Sequence, residues 1–295
     1  MAETSRANRG TIFSEDAEVL AHAEWPGDQL VLRVRAPQTA AVAQPGQFAH
    51  LACDPLLPMR RPLSIQRVAP EAGWVEFLYK RLGHGTRLLA RRQKGERLSL
   101  LGPIGRPFEV AEDVHYPVLL GGGVGIPPMI FLAEALKDRA DLAPAAFLGS
   151  EVPFPFETVA SKLAQPALPA GASHADARLE EWGVPSRLAS NAGIPGAHPG
   201  FVTDLARAHL EPLAPAERRR AAIYAVGPEP MLEAAARLGR ELGVATWLSL
   251  EEYMACAVGG CAGCTVRVEE PTGPAMRRVC VDGPVFPGEQ VYPEA

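Results

Sequence analysis

The first third of the chain alternates apolar and polar residues in short runs that turn residues separate. Residues 30–35 and 74–80 alternate in this way, and a Pro45-Gly46 turn precedes a further run over 47–52. A period of two places apolar side chains on one face of a strand, and several short strands at this spacing are typical of a small barrel. The pattern predicts an antiparallel β-barrel between Val19 and Leu101.

The pattern changes after Pro117, where short apolar runs alternate with segments of helical spacing. Residues 118–120 form an apolar strand that leads into a glycine-rich turn, and residues 127–139 then carry apolar side chains at helical spacing. The further predicted strands are 145–148, 187–189 and 222–226, and the further predicted helices are 201–210 and 231–242. Strands that alternate with helices form a parallel sheet covered on both faces. An α/β domain is therefore expected after the barrel.

The last part of the chain is rich in glycine and cysteine. From Glu251 onward only residues 265–268 have the pattern of a strand, so the rest is expected to form turns. Residues 152–199 carry little periodicity outside the predicted strand at 187–189. The predicted division is a barrel domain over 1–112, an α/β domain over 113–248 and a small C-terminal module over 249–295.

Composition agrees with a globular protein of two or three domains. The chain has 295 residues, of which 47% are hydrophobic and 21% are charged. A net charge of -5 without a basic stripe argues against nucleic acid as a partner. Residues 1–10 lack the apolar core of a secretory signal, and no run of about eighteen apolar residues indicates a membrane span. A cytoplasmic protein is expected.

Four of the five cysteines are clustered near the end of the chain. Four, two and fifteen residues separate them in turn, and they are Cys256, Cys261, Cys264 and Cys280. The spacing resembles that of plant-type ferredoxins, in which thiolates hold a [2Fe-2S] cluster. Gly259, Gly260 and Gly263 leave room for the backbone to bend around such a cluster. These four cysteines are therefore predicted as metal ligands.

Two other roles for these cysteines stay open at this point. A structural zinc ion usually takes cysteines in two close pairs, whereas the second half of this pattern has a single cysteine. Disulfides require an oxidising compartment, which nothing in the sequence indicates. Cys53 stands apart and is expected to be a buried apolar thiol without a role.

Two loops of the predicted barrel could bind a flavin. An arginine can pair with a pyrophosphate while a serine hydroxyl meets the polar edge of the ring, although the same motif also fits an edge strand with a surface arginine. A second segment, in which glycines and a threonine could hold a phosphate, supports binding. The residues are Arg61, Pro62, Leu63 and Ser64 in the first loop, and Leu78, Tyr79, Lys80, Gly85 and Thr86 in the second.

The glycine run after the apolar strand is a possible dinucleotide site. Backbone N–H groups between a strand and a helix favour a pyrophosphate, although such a run can also be a tight connection only. The run does not match the strict dinucleotide-binding fingerprint, and its glycines are Gly121, Gly122, Gly123 and Gly125. Glu151, after the second strand, could bind an adenosine ribose and favour NAD over NADP.

Taken in order, the motifs resemble those of the ferredoxin-NADP reductase superfamily over nearly the whole chain. The motifs are Arg61-Pro62-Leu63-Ser64, Gly85-Thr86, residues 101–105, the Gly121 run and residues 227–231. Residues 249–252, Met254 and the cysteine loop are most similar to the electron-transfer subunits of class 1B dihydroorotate dehydrogenases. Two positions depart from the pattern: Ala257 replaces a glycine, which implies strain, and Val226 replaces a cysteine common beside the nicotinamide.

The resemblance implies an oxidoreductase with FAD in the barrel, NAD on the α/β domain and a [2Fe-2S] cluster on the four cysteines. It implies a separate FMN-containing catalytic subunit that oxidises dihydroorotate to orotate in pyrimidine biosynthesis, with both subunits in a hetero-oligomer such as a heterotetramer. Other redox partners, such as a hydrogenase, a ferredoxin-dependent transhydrogenase or an oxygenase, fit the same cofactors. A zinc-stabilised binding protein without redox activity is the alternative of a different class.

Overall fold

A computed structural model of the protein describes residues 10–165 and 167–295, so most of the polar N-terminal segment lies outside the described residues. The barrel strands are β1 Phe13–Trp25, β2 Gln29–Arg35, β3 Phe48–Leu51, β4 Arg61–Ala69, β5 Trp74–Lys80 and β6 Arg97–Ile104. The later strands are β7 Tyr116–Gly122, β8 Ala145–Gly149, β9 Thr158–Ala160, β10 His174–Asp176, β11 Ser186–Ala189, β12 Ala221–Val226, β13 Ala245–Ser249, β14 Thr265–Glu270, β15 Gly273–Arg278 and β16 Val285–Pro287. The helices are α1 Pro37–Val42, α2 His84–Leu89, α3 Ile126–Leu136, α4 Ala177–Glu181, α5 Val202–Leu210, α6 Pro215–Arg218, α7 Glu229–Leu242 and α8 Gly288–Val291.

The first six strands close into an antiparallel barrel in the order β1-β2-β5-β4-β3-β6. Alternate side chains of β2 and β5 point inward, and the barrel interior includes Leu30, Leu32, Val75 and Phe77, all buried. This alternation is the pattern that predicted the barrel, which the structure confirms. The barrel begins at Phe13, earlier than the sequence pattern indicated.

A six-stranded sheet follows, in the order β11-β8-β7-β12-β13-β16. Its first five strands are parallel, and β16 runs antiparallel beside β13. Helix α3 covers one face, whereas α5 and α7 cover the other. Because both faces are buried, β7, β8 and β12 are almost wholly apolar, as the sequence predicted for an α/β domain.

The expectation that turns alone follow residue 268 is wrong. Strand β15 pairs with β14 in a hairpin, and β16 joins the edge of the α/β sheet. Strand β15 contains Gly273, Pro274 and two arginines, so its own residues favour no strand and its pairing with β14 decides the conformation. The weakly periodic segment 152–199 likewise contains β9, β10 and α4 beside the predicted strand.

The cysteine-rich module packs against the barrel. Phe48 and Ile104 of the barrel share one apolar cluster with Met254, Cys264 and Cys280 of the module. The barrel therefore contacts the loop that carries the predicted metal ligands. Within the described residues, no helix combines the length and the apolar character that crossing a membrane requires.

Candidate functional site

The four clustered cysteines lie in two segments of the C-terminal module. Three of them are in the loop between β13 and β14, and Cys280 follows β15. Cys264 and Cys280 are buried, whereas Cys256 is half-buried and Cys261 is exposed. The side chain of Cys261 influences the pKa of Cys256, and that of Cys264 influences the pKa of Cys280, so the two members of each pair are neighbours. Fold and spacing thus place the four thiols as two neighbouring pairs.

The two pairs lie in different electrostatic surroundings. Burial raises the pKa of Cys256, but hydrogen bonds from the backbone N–H groups of Val258 and Cys261 outweigh it and lower the pKa to about 7. Burial, followed by the neighbouring Cys264, raises the pKa of Cys280 to about 12. A metal ion reverses the second effect, because a coordinated thiol is deprotonated.

The loop between Cys256 and Cys264 folds back on itself through left-handed residues. Ala257, Gly259 and Ala262 have φ values of 57°, 80° and 56°. A left-handed residue other than glycine costs roughly 1 to 2 kcal/mol, so the strain that the sequence implies at Ala257 is present, and Ala262 adds to it. This conformation turns backbone N–H groups toward sulfur: Cys261 N donates to Cys256 Sγ at 3.4 Å, and Gly263 N to Cys261 Sγ at 3.4 Å.

The structure brings together the two barrel loops that the sequence predicted to bind a flavin phosphate. A Cβ atom on Gly85 would lie 2.6 Å from Nε of Arg61, so the guanidinium lies directly over this glycine. Arg61 Nη1 donates to the backbone carbonyls of Met59 and Arg60, each at 3.0 Å. Among the salt bridges of the described residues none includes Arg61, which leaves its charge available to an anion.

The other predicted flavin contacts differ in how they present their side chains. The Thr86 hydroxyl accepts from the N–H groups of Leu82 and Gly83, both at 3.1 Å, and thereby shapes the loop. Leu63 and Tyr79 belong to the barrel core, so these two can reach a flavin only through their backbone. Ser64, Pro62 and Lys80 are half-buried, and Leu78 is buried outside that core.

Close packing that leaves no room for a side chain explains most glycines of the predicted run. A Cβ on Gly125 would lie 2.2 Å from the Val226 carbonyl oxygen, and one on Gly122 would lie 2.6 Å from the Met231 sulfur. At Gly123, with φ of 56°, no atom lies within 4 Å of the added Cβ, so this residue faces open space. Because β7, β8 and β12 are parallel, their carboxyl ends place Gly123 and the exposed Glu151 along one edge of the sheet.

Sequence reasoning missed a contact between the barrel and the loop that carries Glu151. Gln29, fully buried at the start of β2, donates from Nε2 to the Pro153 carbonyl at 2.7 Å and to the Pro26 carbonyl at 2.9 Å. Gly27, with φ of 82°, is in close contact with Val152. Nothing in the local sequence pattern relates these residues, because they are more than a hundred positions apart.

His50 is a second residue that the sequence did not single out. It is fully buried on β3, and neither ring nitrogen makes a hydrogen bond within the described residues. Burial, followed by the charge of Arg60, lowers the pKa of His50 to about 4, although the backbone of Arg60 and of Met254 opposes this shift. The ring is therefore neutral near pH 7. It lies where β3 is close to Met254 of the cysteine module.

Comparison with known proteins identifies the family. Residues 251–292 match the family described as the iron-sulfur cluster binding domain of dihydroorotate dehydrogenase B. The electron transfer subunit of dihydroorotate dehydrogenase B (NAD(+)) from Shouchella clausii is 34% identical over 255 residues, which cover 85% of this chain and 87% of that protein. The chain belongs to the family of dihydroorotate dehydrogenase B electron transfer subunits. The subunit from Desulforamulus reducens, 30% identical over 280 residues, covers 94% of this chain and 97% of its own.

Comparison with solved structures bears on the fold. The structure of an NADH-dependent reduced ferredoxin-NADP oxidoreductase superposes with a TM-score of 0.74 and 27% identity, over 94% of this chain and 90% of that one. The ferredoxin reductase in carbazole 1,9a-dioxygenase, 24% identical, shows the same fold with a TM-score of 0.60 over 79% of this chain and 67% of that one. The predicted ferredoxin-reductase-like fold is thus confirmed, and so is an iron-sulfur binding domain at the C-terminal end.

Proposed function

We propose that this protein carries electrons between NAD+ and a partner flavoprotein that oxidises dihydroorotate to orotate, through FAD and a [2Fe-2S] cluster. The observation that carries the proposal is the packing of the cysteine module against the barrel, where Phe48 and Ile104 share one apolar cluster with Met254, Cys264 and Cys280. The relatives named as electron transfer subunits of dihydroorotate dehydrogenase B support the choice of partner.

The arrangement of the thiols supports a [2Fe-2S] cluster. Each iron of such a cluster takes two thiolates, and the neighbouring pairs Cys256 with Cys261 and Cys264 with Cys280 fit one iron each. A structural zinc ion would instead draw all four thiolates around one centre. The backbone N–H groups that already point at Cys256 and Cys261 suit anionic sulfur.

Arg61 and the loop around Gly85 are the residues that would hold the FAD pyrophosphate. The guanidinium is free of carboxylate partners among the described residues and lies over a glycine, where a phosphate can approach the backbone closely. When bound, FAD exchanges a hydride with a nicotinamide and single electrons with a cluster. The residues 62–64, 78–80 and 86 are proposed to line the same site.

The edge of the sheet near Gly123 is proposed to bind NAD. Gly123 presents open backbone, and the exposed carboxylate of Glu151 lies at the end of the neighbouring strand, where it can accept from ribose hydroxyl groups. A carboxylate there disfavours the 2′-phosphate of NADP. The proposed units are an FAD-binding barrel over 1–112, an NAD-binding domain over 113–248 and a cluster module over 249–295.

The partner is proposed to be an FMN-containing catalytic subunit that docks beside the cluster in a hetero-oligomer. Tyr253 is 95% exposed only three positions before Cys256, and Val258 in the cysteine loop is also exposed. Exposed aromatic side chains that no intramolecular contact explains are typical anchors of protein interfaces. This exposed surface supports a position of the cluster at the contact between the subunits.

The test combines reconstitution with cofactor analysis. The chain is co-purified anaerobically with a dihydroorotate-oxidising catalytic subunit, and we expect dihydroorotate-dependent reduction of NAD+ together with stoichiometric FAD, iron and sulfide. Cys264→Ser should remove the cluster and this activity. The NADH-dependent reduction of a dye that accepts electrons from the flavin should survive. Cys53→Ser, a change at a buried thiol away from the cluster, is the control. Full activity of Cys264→Ser would refute the proposal.

A second candidate is the reductase subunit of a ferredoxin-linked redox complex. The structural likeness to the NADH-dependent reduced ferredoxin-NADP oxidoreductase, at 27% identity over 94% of this chain, favours it. This alternative predicts NADH oxidation coupled to ferredoxin and no activity with dihydroorotate. Assaying the purified complex with both substrates separates the two candidates.

A further inference from the structure

The turn that carries Cys280 closes on a single residue, Arg278. The backbone carbonyl of Arg278 accepts from the N–H groups of Val281, Asp282 and Gly283 at 3.2, 2.8 and 3.3 Å. Its backbone N–H donates to Oδ2 of Asp282 at 2.8 Å. The position of the fourth cysteine is therefore fixed relative to residue 278.

The side chain of Arg278 reaches the other cysteine segment. Its Nη1 donates to the carbonyl of Gly259 at 2.9 Å, inside the loop between Cys256 and Cys261. Its Nε lies 3.4 Å from Asp282 Oδ2, so one guanidinium contacts both segments. A Cβ on Gly259 would lie 3.3 Å from Arg278 Nη1, which shows how closely the loop approaches the guanidinium.

The next residue continues the same connection through the backbone. Val279 N donates to the carbonyl of Cys264 at 2.9 Å, and Thr265 is the register partner of Arg278 in the hairpin. The loop with three cysteines and the turn with the fourth are thus joined at Arg278 and Val279. A side chain that spans both segments controls how the two thiol pairs face each other.

The charge of Arg278 has a second consequence. A cluster with four thiolates is anionic and becomes more negative on reduction, so a nearby cation stabilises the reduced form more than the oxidised form. The carboxylate of Asp282, 3.4 Å from the guanidinium, offsets part of this charge. Because Arg278 is only half-buried, solvent screens the remainder in part.

We propose that Arg278 is a positioning residue that joins the two cysteine segments and raises the reduction potential of the cluster. This inference rests on the proposed function, since it assumes an iron-sulfur cluster on the four cysteines. The adjacent Arg277 offers a matched control: it lies on the same strand, but its Nε donates to Glu270 at 2.7 Å and it makes no hydrogen bond to either cysteine segment in the described structure.

The test uses the full chain in complex with its partner and compares Arg278→Met, Arg278→Lys, Asp282→Asn and Arg277→Met. The readouts are iron content, the EPR spectrum of the reduced cluster and its midpoint potential in a mediated redox titration. Arg278→Met should shift the potential to more negative values and broaden the EPR lines. Arg278→Lys should recover most of the potential, because the charge stays, but less of the line shape, because the contact with Gly259 is lost.

The opposite charge change gives an independent readout. Asp282→Asn keeps an oxygen that can accept from the Arg278 N–H but removes the negative charge, so the potential should become more positive. If Arg278→Met fails to retain iron, the signs of the midpoint-potential shifts in Arg278→Lys and Asp282→Asn still test the inference. Full iron with potentials and spectra equal to those of Arg277→Met would overturn this inference alone, whereas a wild-type protein without iron would overturn the proposed function as well.

Discussion

Arg67 on β4 holds Glu134 on α3 with two parallel hydrogen bonds, from Nε at 2.9 Å and from Nη2 at 2.6 Å. These bonds, with the charge of Glu134, raise the pKa of Arg67, and the guanidinium also lies over the ring of Trp182 at 5.2 Å. Strand β4 begins with the predicted flavin motif, and α3 begins just after the glycine run. The pair therefore fixes the proposed flavin and nucleotide surfaces relative to each other.

Removing Glu134 should destabilise the whole protein. Glu134→Ala leaves the mostly buried Arg67 without its bidentate partner, and we expect a loss of about 1 to 2 kcal/mol in the free energy of unfolding. Glu233→Ala is the control, because its pair with Arg237 is about half exposed on both sides and should contribute about 0.5 kcal/mol or less. Urea unfolding of both variants measures the difference, and equal losses would contradict the interpretation.

Gly85→Ala should weaken flavin binding without unfolding the barrel. The added Cβ would lie 2.6 Å from Arg61 Nε, so the flexible guanidinium must move away from the proposed phosphate position. Loss of a charge-assisted hydrogen bond of about 1.5 to 3 kcal/mol corresponds to roughly a tenfold to hundredfold higher Kd for FAD. Gly83→Ala, where the added Cβ meets no atom within 4 Å, should bind FAD like the wild type. Fluorescence titration of the apoprotein with FAD checks both variants.

Glu151→Gln should reduce the preference for NADH over NADPH. The neutral amide keeps an acceptor for the ribose but removes the charge that repels a 2′-phosphate, so we expect the ratio of the two kcat/KM values to fall by about tenfold, or about 1.4 kcal/mol. Glu157→Gln, at an exposed position later in the same loop, is the control. Steady-state dye reduction with each nucleotide gives the ratios, and an unchanged ratio in Glu151→Gln would remove this residue from the nucleotide site.

His50 should make the protein sensitive to mild acid. Its pKa is about 4 in the folded protein and 6.5 in the unfolded chain, so its contribution to stability is complete above pH 6.5 and is lost as the pH falls toward 4. At pH 5 this amounts to roughly 2 kcal/mol relative to pH 7. His50→Gln should abolish that part of the pH dependence, whereas His115→Gln, at a more exposed position, should retain it. Denaturant unfolding at both pH values decides between these outcomes.

The sequence predicted those features that depend on local pattern. Alternation marks β2 and β5, apolar runs mark β7 and β12, and the spacing of the cysteines indicates the cluster ligands before any geometry is known. Strands β15 and β16 were missed because their pairing, with the preceding strand β14 and with the remote strand β13, and not their own residues, makes them strands. Tertiary contacts override weak strand propensity in this way, and sequence pattern alone does not report them.

In the candidate functional site, too, the sequence does not report contacts between remote residues. The residue types predicted that Arg61 and Gly85 belong to flavin loops, which stays a prediction, and only the fold shows that the guanidinium lies over the glycine. In the glycine run, Gly122 and Gly125 are explained by close packing against residues about a hundred positions away. The contacts made by Arg278, Gln29 and His50 also join segments that are separated along the chain or across a loop. Such pairings carry no periodic signal.

The segment that carries the four cysteines leaves the α/β sheet at the end of β13 and returns to it at the neighbouring strand β16. Ser249 at the exit is the register partner of Val285 at the return, and Leu250 N donates to the Pro284 carbonyl at 2.9 Å. A cofactor carrier on a single flexible linker can move between donor and acceptor. A segment whose two ends are both held by the sheet cannot move over such a distance. Electron transfer must then depend on the partner protein docking beside the cysteine segment, because that segment does not move toward its partner.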